Sequence, residues 1–434
     1  MPGLAAQLAT ALRSRGARTG LIVLAASVVG HVSNYLFYVL SARALTPVQF
    51  AEISALMALG TIALMPSTGV QATVARDVAS LVTQGRADEV PGRFAASARG
   101  VLRATALLGL VLVIATPAAV VVLELDSGWV WVLAVFWVVL AVALQTGLGL
   151  LQGLSRFGSL SAVLAGPQGA FRPLLLIPLV AAAGVAGAVG ALVTATVLGL
   201  AIAAWGLRSL PWRQVRRAAA GAPVERLRSP LVAVIALLAF ASLTNADLVA
   251  AKIGLDGDRA GQYASAALIG KIALYAPSAL STVLLPKVTA RLEAGLDIAV
   301  PVVLTMLAAV GTGTLVVAAV ALAPDSVITT VFGPDYAGAT RLAVPLAAVM
   351  TLCALLNVQV VIALAAQDGA FLRLLAAAAV LHAGLLVVFA GDVSGIIVST
   401  AVAAGLAVIV HEIRSPHALR RLLAAQRGRV EGRG

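Results

Sequence analysis

Apolar residues recur along the chain in blocks of about 20, the length at which a helix crosses the roughly 30 Å hydrocarbon core of a membrane. Short polar segments separate these blocks and hold most of the charged residues. The separating segments are too short to form a folded extramembrane domain. The pattern predicts twelve spanning helices, at 20–41, 48–69, 101–123, 129–151, 160–183, 185–207, 230–251, 261–285, 299–322, 342–365, 371–390 and 394–412.

The composition excludes a soluble protein. Of the 434 residues, 61% are hydrophobic and only 11% are charged, and the mean hydropathy is +1.03. Soluble domains contain roughly 45–50% apolar and about 25% charged residues. We therefore predict an all-α polytopic membrane protein with about 12 transmembrane helices.

The distribution of basic residues explains the net charge of +12. Of the 30 lysines and arginines, 24 lie at the two termini, in the even-numbered loops or within three residues of those loops. Four lie in the odd-numbered loops, and two lie in the middle of predicted spans. Basic residues accumulate on the cytoplasmic side of membrane proteins. The asymmetry predicts that both termini are cytoplasmic, and it accounts for the charge without a nucleic-acid partner.

A weak internal repeat divides the chain into two halves. A shift of 211 residues places Asn34 on Asn245 and Pro66 on Pro277. An even number of helices in each half predicts a parallel repeat, as in transporters that hold substrate between their halves. The predicted domains are a six-helix lobe at 1–207, a basic cytoplasmic linker at 208–229, a second six-helix lobe at 230–413 and a basic cytoplasmic tail at 414–434.

Two cations lie about midway along predicted spans, Arg172 in the fifth and Lys271 in the eighth. A charge at that depth costs at least about 2.5–3.5 kcal/mol, so it must face a partner or a wet cavity. Both belong to polar stripes at helical spacing, and a third stripe follows the first span. One interpretation is a polar cavity for an anion; the other is a set of hydrogen bonds that hold helices together. The stripes are Ser161, Gln168 and Arg172; Lys271, Tyr275, Ser278 and Thr282; and Ser27, His31, Asn34, Tyr38 and Ser41.

Four prolines are candidate hinges. Pro167 and Pro173 flank the middle of the fifth span and favour a break in that helix, because proline cannot donate an intrahelical hydrogen bond. Pro66 and Pro277 occupy equivalent places in the two halves. Ordinary helix kinks are the alternative for all four.

Two further ionisable residues lie within apolar segments. Asp247 is either a protonatable site for a coupling ion or an interfacial acid paired with Lys252. His382 in the eleventh span is interpreted as a packed residue rather than a proton relay.

Signatures of enzymes and of metal sites do not emerge from the sequence. The four histidines form no metal-ligand pair at helical spacing, and no Gly-rich loop ends in Gly-Lys-Ser/Thr. The single cysteine, Cys353, excludes an intrachain disulfide or a thiolate cluster. We predict a protein that is not an enzyme and that has no cofactor and no resident metal.

Several segments resemble one transporter superfamily. After Asn34 the chain reads Ser41-Ala42-Arg43-Ala44-Leu45-Thr46-Pro47-Val48-Gln49-Phe50, then Pro66-Ser67-Thr68-Gly69-Val70-Gln71 and Val74-Ala75-Arg76. Later segments are Asn245-Ala246-Asp247, Gly261-Gln262-Tyr263, Ile269-Gly270-Lys271, Leu284-Leu285-Pro286-Lys287 and Phe332-Gly333-Pro334-Asp335-Tyr336. In order and spacing they are similar to the multidrug/oligosaccharidyl-lipid/polysaccharide (MOP) exporter superfamily, in its polysaccharide (O-antigen-like) flippase branch.

This resemblance implies a fold and a function. The expected fold has two pseudo-symmetric six-helix lobes around a central cavity, as in MATE transporters, and works by alternating access. The expected function is translocation of a polyprenyl-diphosphate-linked oligosaccharide across a bacterial cytoplasmic membrane by a monomer, with membrane lipids and polysaccharide-assembly proteins as partners. The expected substrate-binding residues are Arg172, Lys271, Asn34, Asn245, Tyr275 and Gln168.

Two other functions stay open at the level of sequence. One is a cation-coupled exporter of small amphipathic compounds, in which Asp247 would carry the coupling ion. The other is a membrane scaffold that does not transport. The sign of charge in the cavity separates the two transporters, because a flippase for diphosphates needs a net positive cavity.

Overall fold

The computed structural model describes residues 15–210, 231–294 and 298–414, and these residues form helices joined by short turns, with no β-strand. The basic linker and tail predicted at 208–229 and 414–434 lie almost entirely outside the described residues, as do the first 14 residues. The helices are α1 (Arg15–Ala44), α2 (Pro47–Thr83), α3 (Val90–Ile114), α4 (Thr116–Leu123), α5 (Gly128–Gly153), α6 (Phe157–Ala165), α7 (Phe171–Gly206), α8 (Leu231–Gly254), α9 (Gly257–Glu293), α10 (Ala299–Leu322), α11 (Pro324–Phe332), α12 (Thr340–Ala366), α13 (Gly369–Phe389) and α14 (Val393–Arg414).

The all-α polytopic fold is confirmed. Within the described residues, ten helical segments are long and apolar enough to cross a membrane. Large apolar side chains cover their outer surfaces; Leu322, for example, is 85% exposed and Val387 is 84% exposed. Apolar patches on this scale fit a lipid environment and would be unfavourable in water.

One of the ten segments, Phe157–Gly206, is a helical hairpin. Its 50 residues would extend about 75 Å as a single helix, more than twice the apolar thickness of a bilayer. The helical dihedral angles break at Ala183 and at Gly184, which has φ +53°. Beyond the break, Gly187 lies directly against the carbonyl of Leu179. The chain therefore reverses direction at Gly184, which separates the predicted spans 160–183 and 185–207.

The ends of this hairpin meet at Arg156. Its Nη1 donates a hydrogen bond to the carbonyl of Gly206, and its Nη2 donates to Oγ of Ser209 at 2.5 Å. One arginine thus satisfies a carbonyl at the C-terminal end of α7 and ties it to the start of α6.

Some helix boundaries differ from the prediction. Helix α2 continues to Thr83, well beyond the predicted end at residue 69, and α3 begins at Val90 rather than at 101. Hydropathy marks only the apolar part of a helix, whereas the backbone hydrogen bonds continue through polar residues beyond it. The predicted span 101–123 is divided at Ala115, just before Pro117 at the start of α4.

The helices form two compact units. The first contains residues 1–45 and 66–229, and the second contains residues 46–65 and 230–434. The predicted first lobe, 1–207, includes residues 46–65, which belong to the second unit in the structure. Helix α2 therefore begins in the second unit and passes into the first at Pro66.

Glycines let the first half of α2 pack within the second unit. The Cα of Gly261 lies against the carbonyl of Pro47, where a Cβ atom would be 2.2 Å from that oxygen. Phe50 then packs between two aromatic rings from the segment after α10, with centroids 6.2 Å away for Phe332 and 5.6 Å for Tyr336. A fully buried aromatic cluster thus holds residues 46–65 in this unit.

The order and length of helices repeat along the chain. Helices α2 and α9 each contain 37 residues, with Pro66 and Pro277 near their middles. In each half the next long helix is followed by a short one with proline in its first turn, α4 in the first half and α11 in the second. This agreement of element lengths supports the predicted repeat more strongly than the few matched residues do.

Candidate functional site

In the first unit, Arg172 contacts Asn34. Nη1 of Arg172 donates a hydrogen bond to Oδ1 of Asn34 at 3.3 Å, so the structure brings two of the predicted site residues together. The Arg172 side chain is partly buried, and its buried Nε has no hydrogen-bond partner. Tyr38, on the same face of α1 as Asn34, lies within electrostatic range of the guanidinium. No carboxylate in the described residues forms an ion pair with it.

A break in the helix positions Arg172. Residues Gly166–Ala170 form a π-helical turn in which Gly169 has non-helical dihedral angles. Gly169 and Gly30 pack backbone to backbone, since a Cβ on Gly169 would lie 3.4 Å from the Cα of Gly30. This close approach brings α1 against the start of α7, where Arg172 is the second residue. The predicted break in the fifth span therefore lies directly before the cation.

The neighbours of the break are also predicted site residues. Gln168 is within the π-helical turn and is partly buried, while Pro167 and Pro173 on either side are buried. Their predicted roles in substrate binding and in bending stay predictions.

In the second unit, Lys271 contacts Asn245. The Lys271 ammonium is almost completely buried and donates a hydrogen bond to Oδ1 of Asn245 at 2.7 Å. Nδ2 of Asn245 donates in turn to the carbonyl of Ala241 at 2.9 Å and to Oγ1 of Thr244 at 3.0 Å. These two bonds orient the amide so that its oxygen faces the ammonium.

Asp247 is fully buried and pairs with a tyrosine. The hydroxyl of Tyr263 donates to Oδ2 of Asp247 at 3.1 Å. In the described part of the chain no ion pair joins Asp247 to Lys252, so the predicted pairing of these two residues is not seen. The Asp247 carboxylate instead lies within electrostatic range of Lys271.

Two residues of this region have no role in the sequence analysis: Tyr263, which bonds to Asp247, and Thr400, which contacts His382. Nε2 of His382 and Oγ1 of Thr400 are 3.0 Å apart, and both side chains are buried. Tyr263 lies in the segment Gly261-Gln262-Tyr263, which resembles the MOP superfamily. That resemblance is the one sequence feature that could have drawn attention to Tyr263. For Thr400 the sequence offers no signal, because threonine is common in apolar helices.

Three of the predicted site residues remain: Tyr275, Pro277 and Pro66. Tyr275 is four residues after Lys271 on α9 and is 44% exposed. Pro277 is buried in the same helix, and Pro66 lies where α2 passes between units. No cluster of three or more His, Cys, Asp or Glu occurs in the described residues.

The two asparagine–cation pairs differ in charge balance. Arg172 is partly exposed and bonds to a neutral amide, and no carboxylate in the described residues pairs with it. Lys271 is buried and has a carboxylate within electrostatic range. The positive charge is therefore less compensated by nearby carboxylates at Arg172 than at Lys271.

Comparison with solved structures identifies the fold. An inward-facing multidrug-resistance MATE transporter of the MOP superfamily matches with a TM-score of 0.64 at 14% identity, over 91% of this chain and 97% of that one. The lipid II flippase MurJ, in an inward closed conformation, matches with a TM-score of 0.66 at 12% identity, over 93% of this chain and 88% of that one. The chain has the fold of the MOP superfamily.

A third MOP transporter matches with a TM-score of 0.56 at 16% identity, over 93% of this chain and 96% of that one. It comes from Pyrococcus furiosus, and its description states that a reversed polarity of the binding pocket suggests a different function. Neither a protein-family model nor a curated protein sequence matches this chain. The predicted resemblance to the MOP superfamily is confirmed at the level of fold, and these neighbours are transporters and flippases rather than enzymes.

Proposed function

We propose that this MOP-fold protein is a flippase for a lipid whose head group is a sugar linked through a diphosphate. Transport rather than catalysis is the activity, and alternating access is the mechanism. The observation that carries the proposal is the Arg172 guanidinium, a partly exposed cation within an apolar helix that is bonded to an amide and not to an acid.

The chemistry of arginine suits this substrate. Its planar guanidinium presents several N–H donors that match phosphate oxygens in pairs. The single bond to Asn34 leaves most of those donors available, and Nε has no protein partner. A diphosphate that accepts these hydrogen bonds would offset the cost of holding a cation in an apolar helix.

The other predicted binding residues have supporting roles in this proposal. Asn34 orients the guanidinium, and Gln168, in the turn before it, supplies an amide for the sugar or the phosphate. Lys271, Asn245 and Tyr275 remain proposed ligands, with Lys271 the weaker anion site because of Asp247. Pro66, Pro277 and the Pro167–Pro173 stretch are proposed to let helices bend as the site changes its access.

The MurJ neighbour is consistent with this substrate class, because its description names a lipid-linked substrate. The MATE neighbours have the same fold with a multidrug description, so fold does not separate the two functions. A buried carboxylate at Asp247 favours the second candidate, a cation-coupled exporter of small amphipathic compounds. The test must therefore compare an anionic lipid with a cationic compound.

The decisive experiment measures transbilayer movement in proteoliposomes. The probes are a fluorescent polyprenyl-diphosphate-linked disaccharide and, separately, a fluorescent lipophilic cation. Wild-type protein is expected to move the diphosphate lipid, and Arg172→Gln is expected to slow this at least about tenfold, equivalent to about 1.4 kcal/mol of lost interaction with the charged head group. Arg172→Lys keeps the charge but not the planar group, and an intermediate rate is expected.

Arg103→Gln is the matched control, since it removes an exposed arginine from α3 in the same unit. It should transport like the wild type. Transport of the cation alone, unaffected by Arg172→Gln, would establish the drug exporter instead. No transport of either probe by a folded wild-type protein would favour the scaffold.

A further inference from the structure

Three glutamines of the first unit lie beside the contact between α2 and α5. Nε2 of Gln71 on α2 donates a hydrogen bond to Oε1 of Gln152 on α5 at 3.3 Å. Gln145, also on α5, has a buried Oε1 without a hydrogen-bond partner in the described residues. It lies within an apolar segment that is long enough to cross a membrane. A polar atom without a partner in such a segment needs a physical explanation.

The packing of α2 on α5 determines where these side chains lie. A Cβ atom on Gly149 would be 2.6 Å from the carbonyl oxygen of Gln71, so this position of α5 faces α2 directly. At about 100° per residue, Gln145 and Gln152 are turned by roughly 40° and 60° to the same flank of that contact. The Gln71–Gln152 bond shows that the Gln71 side chain reaches this flank as well. We call Gln71, Gln145 and Gln152 the glutamine row.

The open oxygen of the row is not needed to hold the two helices together. Their backbones also meet at Gly153, where a Cβ atom would lie 2.7 Å from the carbonyl oxygen of Ala75. Val78 of α2 and Leu148 of α5 belong to one buried apolar cluster. Because Oε1 of Gln145 bonds to no other helix, it adds nothing to this contact.

The chemistry of the row matches sugar hydroxyl groups. Each glutamine amide presents two N–H donors together with an oxygen that can accept twice. The Gln71–Gln152 bond uses one donor and one acceptor, and no other hydrogen bond to either side chain occurs in the described residues. A hydroxyl group both donates and accepts, so it can satisfy the oxygen of Gln145. A phosphate or a carboxylate offers acceptors alone and cannot donate to that oxygen.

Charged side chains near the row have other partners or directions. Arg156, just beyond the end of α5, donates to the carbonyl of Gly206. Asp77 lies 3.6 Å from Arg93, with which it forms an ion pair. Arg76 is turned by about 140° from the row around α2. These arrangements favour uncharged hydroxyl groups over acidic or basic sugars at the row.

The depth of the row suits a head group that is also bound at Arg172. Helix α5 ends at Gly153 and α6 begins at Phe157, so positions on both can be measured from the turn between them. Gln145 lies about 12 Å along α5 from that turn, and Arg172 lies about 22 Å from it along α6 and α7. The difference of about 10 Å is comparable to the length of a disaccharide.

We propose, on the basis of the proposed flippase function, that the glutamine row binds the sugar part of the head group through the hydroxyl groups of uncharged sugars. Oε1 of Gln145 accepts a hydrogen bond from a sugar hydroxyl. Gln71 and Gln152 supply further donors and acceptors nearer the end of α5. Recognition of the sugar is thereby separate from recognition of the diphosphate, which belongs to Arg172.

The first experiment measures access of water to the row and does not depend on the substrate. Gln145→Cys and Thr146→Cys, each in a Cys353→Ala background, are treated in proteoliposomes with a small water-soluble methanethiosulfonate reagent. Thr146 is the matched control, because it lies on the opposite flank of the same helix and is only 2% exposed. Gln145→Cys is expected to react at least about tenfold faster, since thiol reactivity depends on exposure. Equally slow reaction of the two cysteines would overturn the proposal, because a sugar cannot bind an amide that water does not reach.

The second experiment compares the binding of two radiolabelled lipids to the protein in nanodiscs. One is a polyprenyl diphosphate that carries an uncharged disaccharide, and the other is the same diphosphate without sugar. Gln145→Leu keeps a side chain of similar size and removes the amide. It is expected to weaken binding of the sugar-bearing lipid about three- to tenfold, the effect of one lost neutral hydrogen bond, and to leave the sugar-free lipid unchanged. Arg172→Gln should weaken the binding of both lipids.

Gln84→Leu is the control for this comparison, because Gln84 is an exposed glutamine of the first unit outside the row. It should bind both lipids like the wild type. A wild type that binds both lipids, with Gln145→Leu changing neither or weakening both equally, would overturn the assignment of the row to the sugar and leave the flippase function standing. A wild type that binds neither lipid would contradict the flippase function, and the sugar assignment with it.

The charge of the sugar has its own test. A third lipid, in which the disaccharide ends in a hexuronic acid, is expected to bind more weakly than the uncharged one, and tighter binding would overturn the choice of uncharged sugars. Thermal unfolding verifies that Gln145→Leu is folded. Because the oxygen of Gln145 has no protein partner, the leucine variant should be at least as stable as the wild type.

Discussion

At the scale of single residues, the two asparagine–cation pairs show how burial changes the contribution of a hydrogen bond to stability. Both Asn34 and Asn245 accept a hydrogen bond from a cation on another helix. The Lys271 ammonium is almost fully enclosed, so its bond to Asn245 replaces water that it has lost. The Arg172 guanidinium keeps access to its surroundings and depends less on Asn34. The two pairs use the same kind of hydrogen bond, but the buried bond to Lys271 should contribute more to the free energy of unfolding than the bond to Arg172.

Replacing each asparagine by alanine should show how much each hydrogen bond contributes to the free energy of unfolding. Asn245→Ala is expected to lower the free energy of unfolding by roughly 1–3 kcal/mol, because it leaves a buried ammonium without its acceptor. Asn34→Ala should cost less, since the Arg172 side chain is only partly buried. Thermal unfolding in detergent measures both, with a thiol-reactive dye at Cys353, the single and buried cysteine, reporting on the second unit.

The first unit has its own probe for the same measurement. All five tryptophans occur between residues 129 and 212, which belong to that unit, so intrinsic fluorescence follows its unfolding. Equal losses for the two variants, each in its own unit, would contradict the difference in burial on which the comparison depends.

The sequence singles out the four residues, but it does not show that Asn34 bonds to Arg172 or that Asn245 bonds to Lys271. Arg172, Lys271 and the two asparagines stood out because polar residues are rare in apolar segments. Hydrogen-bond partners on other helices depend on how those helices rotate and cross, and spacing along one helix does not contain that information. Asp247 illustrates the limit, because its nearest basic residue in sequence, Lys252, is not its partner.

At the scale of helices, close backbone contacts decide the arrangement. The hairpin of α6 and α7 reverses at Gly184, and Gly187 then lies against the carbonyl of Leu179. Small residues at such places allow helices to approach closely in membranes. The sequence predicted two spans here from length alone, whereas the reversal itself depends on the positive φ of one glycine.

A pair of glycine substitutions tests this contact. Gly187→Ala would place a Cβ atom 1.8 Å from the Leu179 carbonyl oxygen, so the backbone must move. We expect a loss of about 1–3 kcal/mol in the free energy of unfolding, as for other overpacked sites. Gly190→Ala, three residues along the same helix and open to its surroundings, is the control and should change stability little.

Tryptophan fluorescence during thermal unfolding measures this difference in the first unit. A Gly187→Ala protein as stable as the Gly190→Ala protein would show that the hairpin tolerates a wider separation than the structure indicates. The Cys353 transition should shift less than the tryptophan transition, because the substitution lies in the other unit.

Some residues that carried the family resemblance have a packing role. Phe332 and Tyr336, from the segment Phe332-Gly333-Pro334-Asp335-Tyr336, enclose Phe50, and Gly333 adopts φ +113° between them. Gly261 contacts the backbone of Pro47. These residues hold the first half of α2 in the second unit. Their similarity to MOP proteins therefore reports on the fold and not on the substrate.

At the scale of the whole molecule, the charge map predicts orientation. The 24 basic residues on one side predict that both termini are cytoplasmic. The loop between α2 and α3 should then face the cytoplasm, and the loop between α8 and α9 should face outward. Asp88 and Asp256 are exposed aspartates in these two places.

Cysteine accessibility tests that orientation. In a Cys353→Ala background, Asp256→Cys in intact cells should react with a membrane-impermeant maleimide, whereas Asp88→Cys should react only after the membrane is opened. The opposite pattern would reverse the topology, and equal labelling of both would indicate a wrong number of spans between them. The two variants are matched in residue type and exposure, so each controls for the other.

The sequence by itself determined the fold class, the order of the apolar segments and the residues that do not belong in lipid. Each of these follows from local physics: the length of an apolar block against the thickness of a bilayer, and the cost of a charge within it. The tertiary structure alone decided which polar residues meet. It placed Asn34 on Arg172, assigned residues 46–65 to the second unit, and left the amide oxygen of Gln145 without a partner. Those outcomes depend on contacts between distant helices, whose crossing and rotation arise from packing of the whole unit.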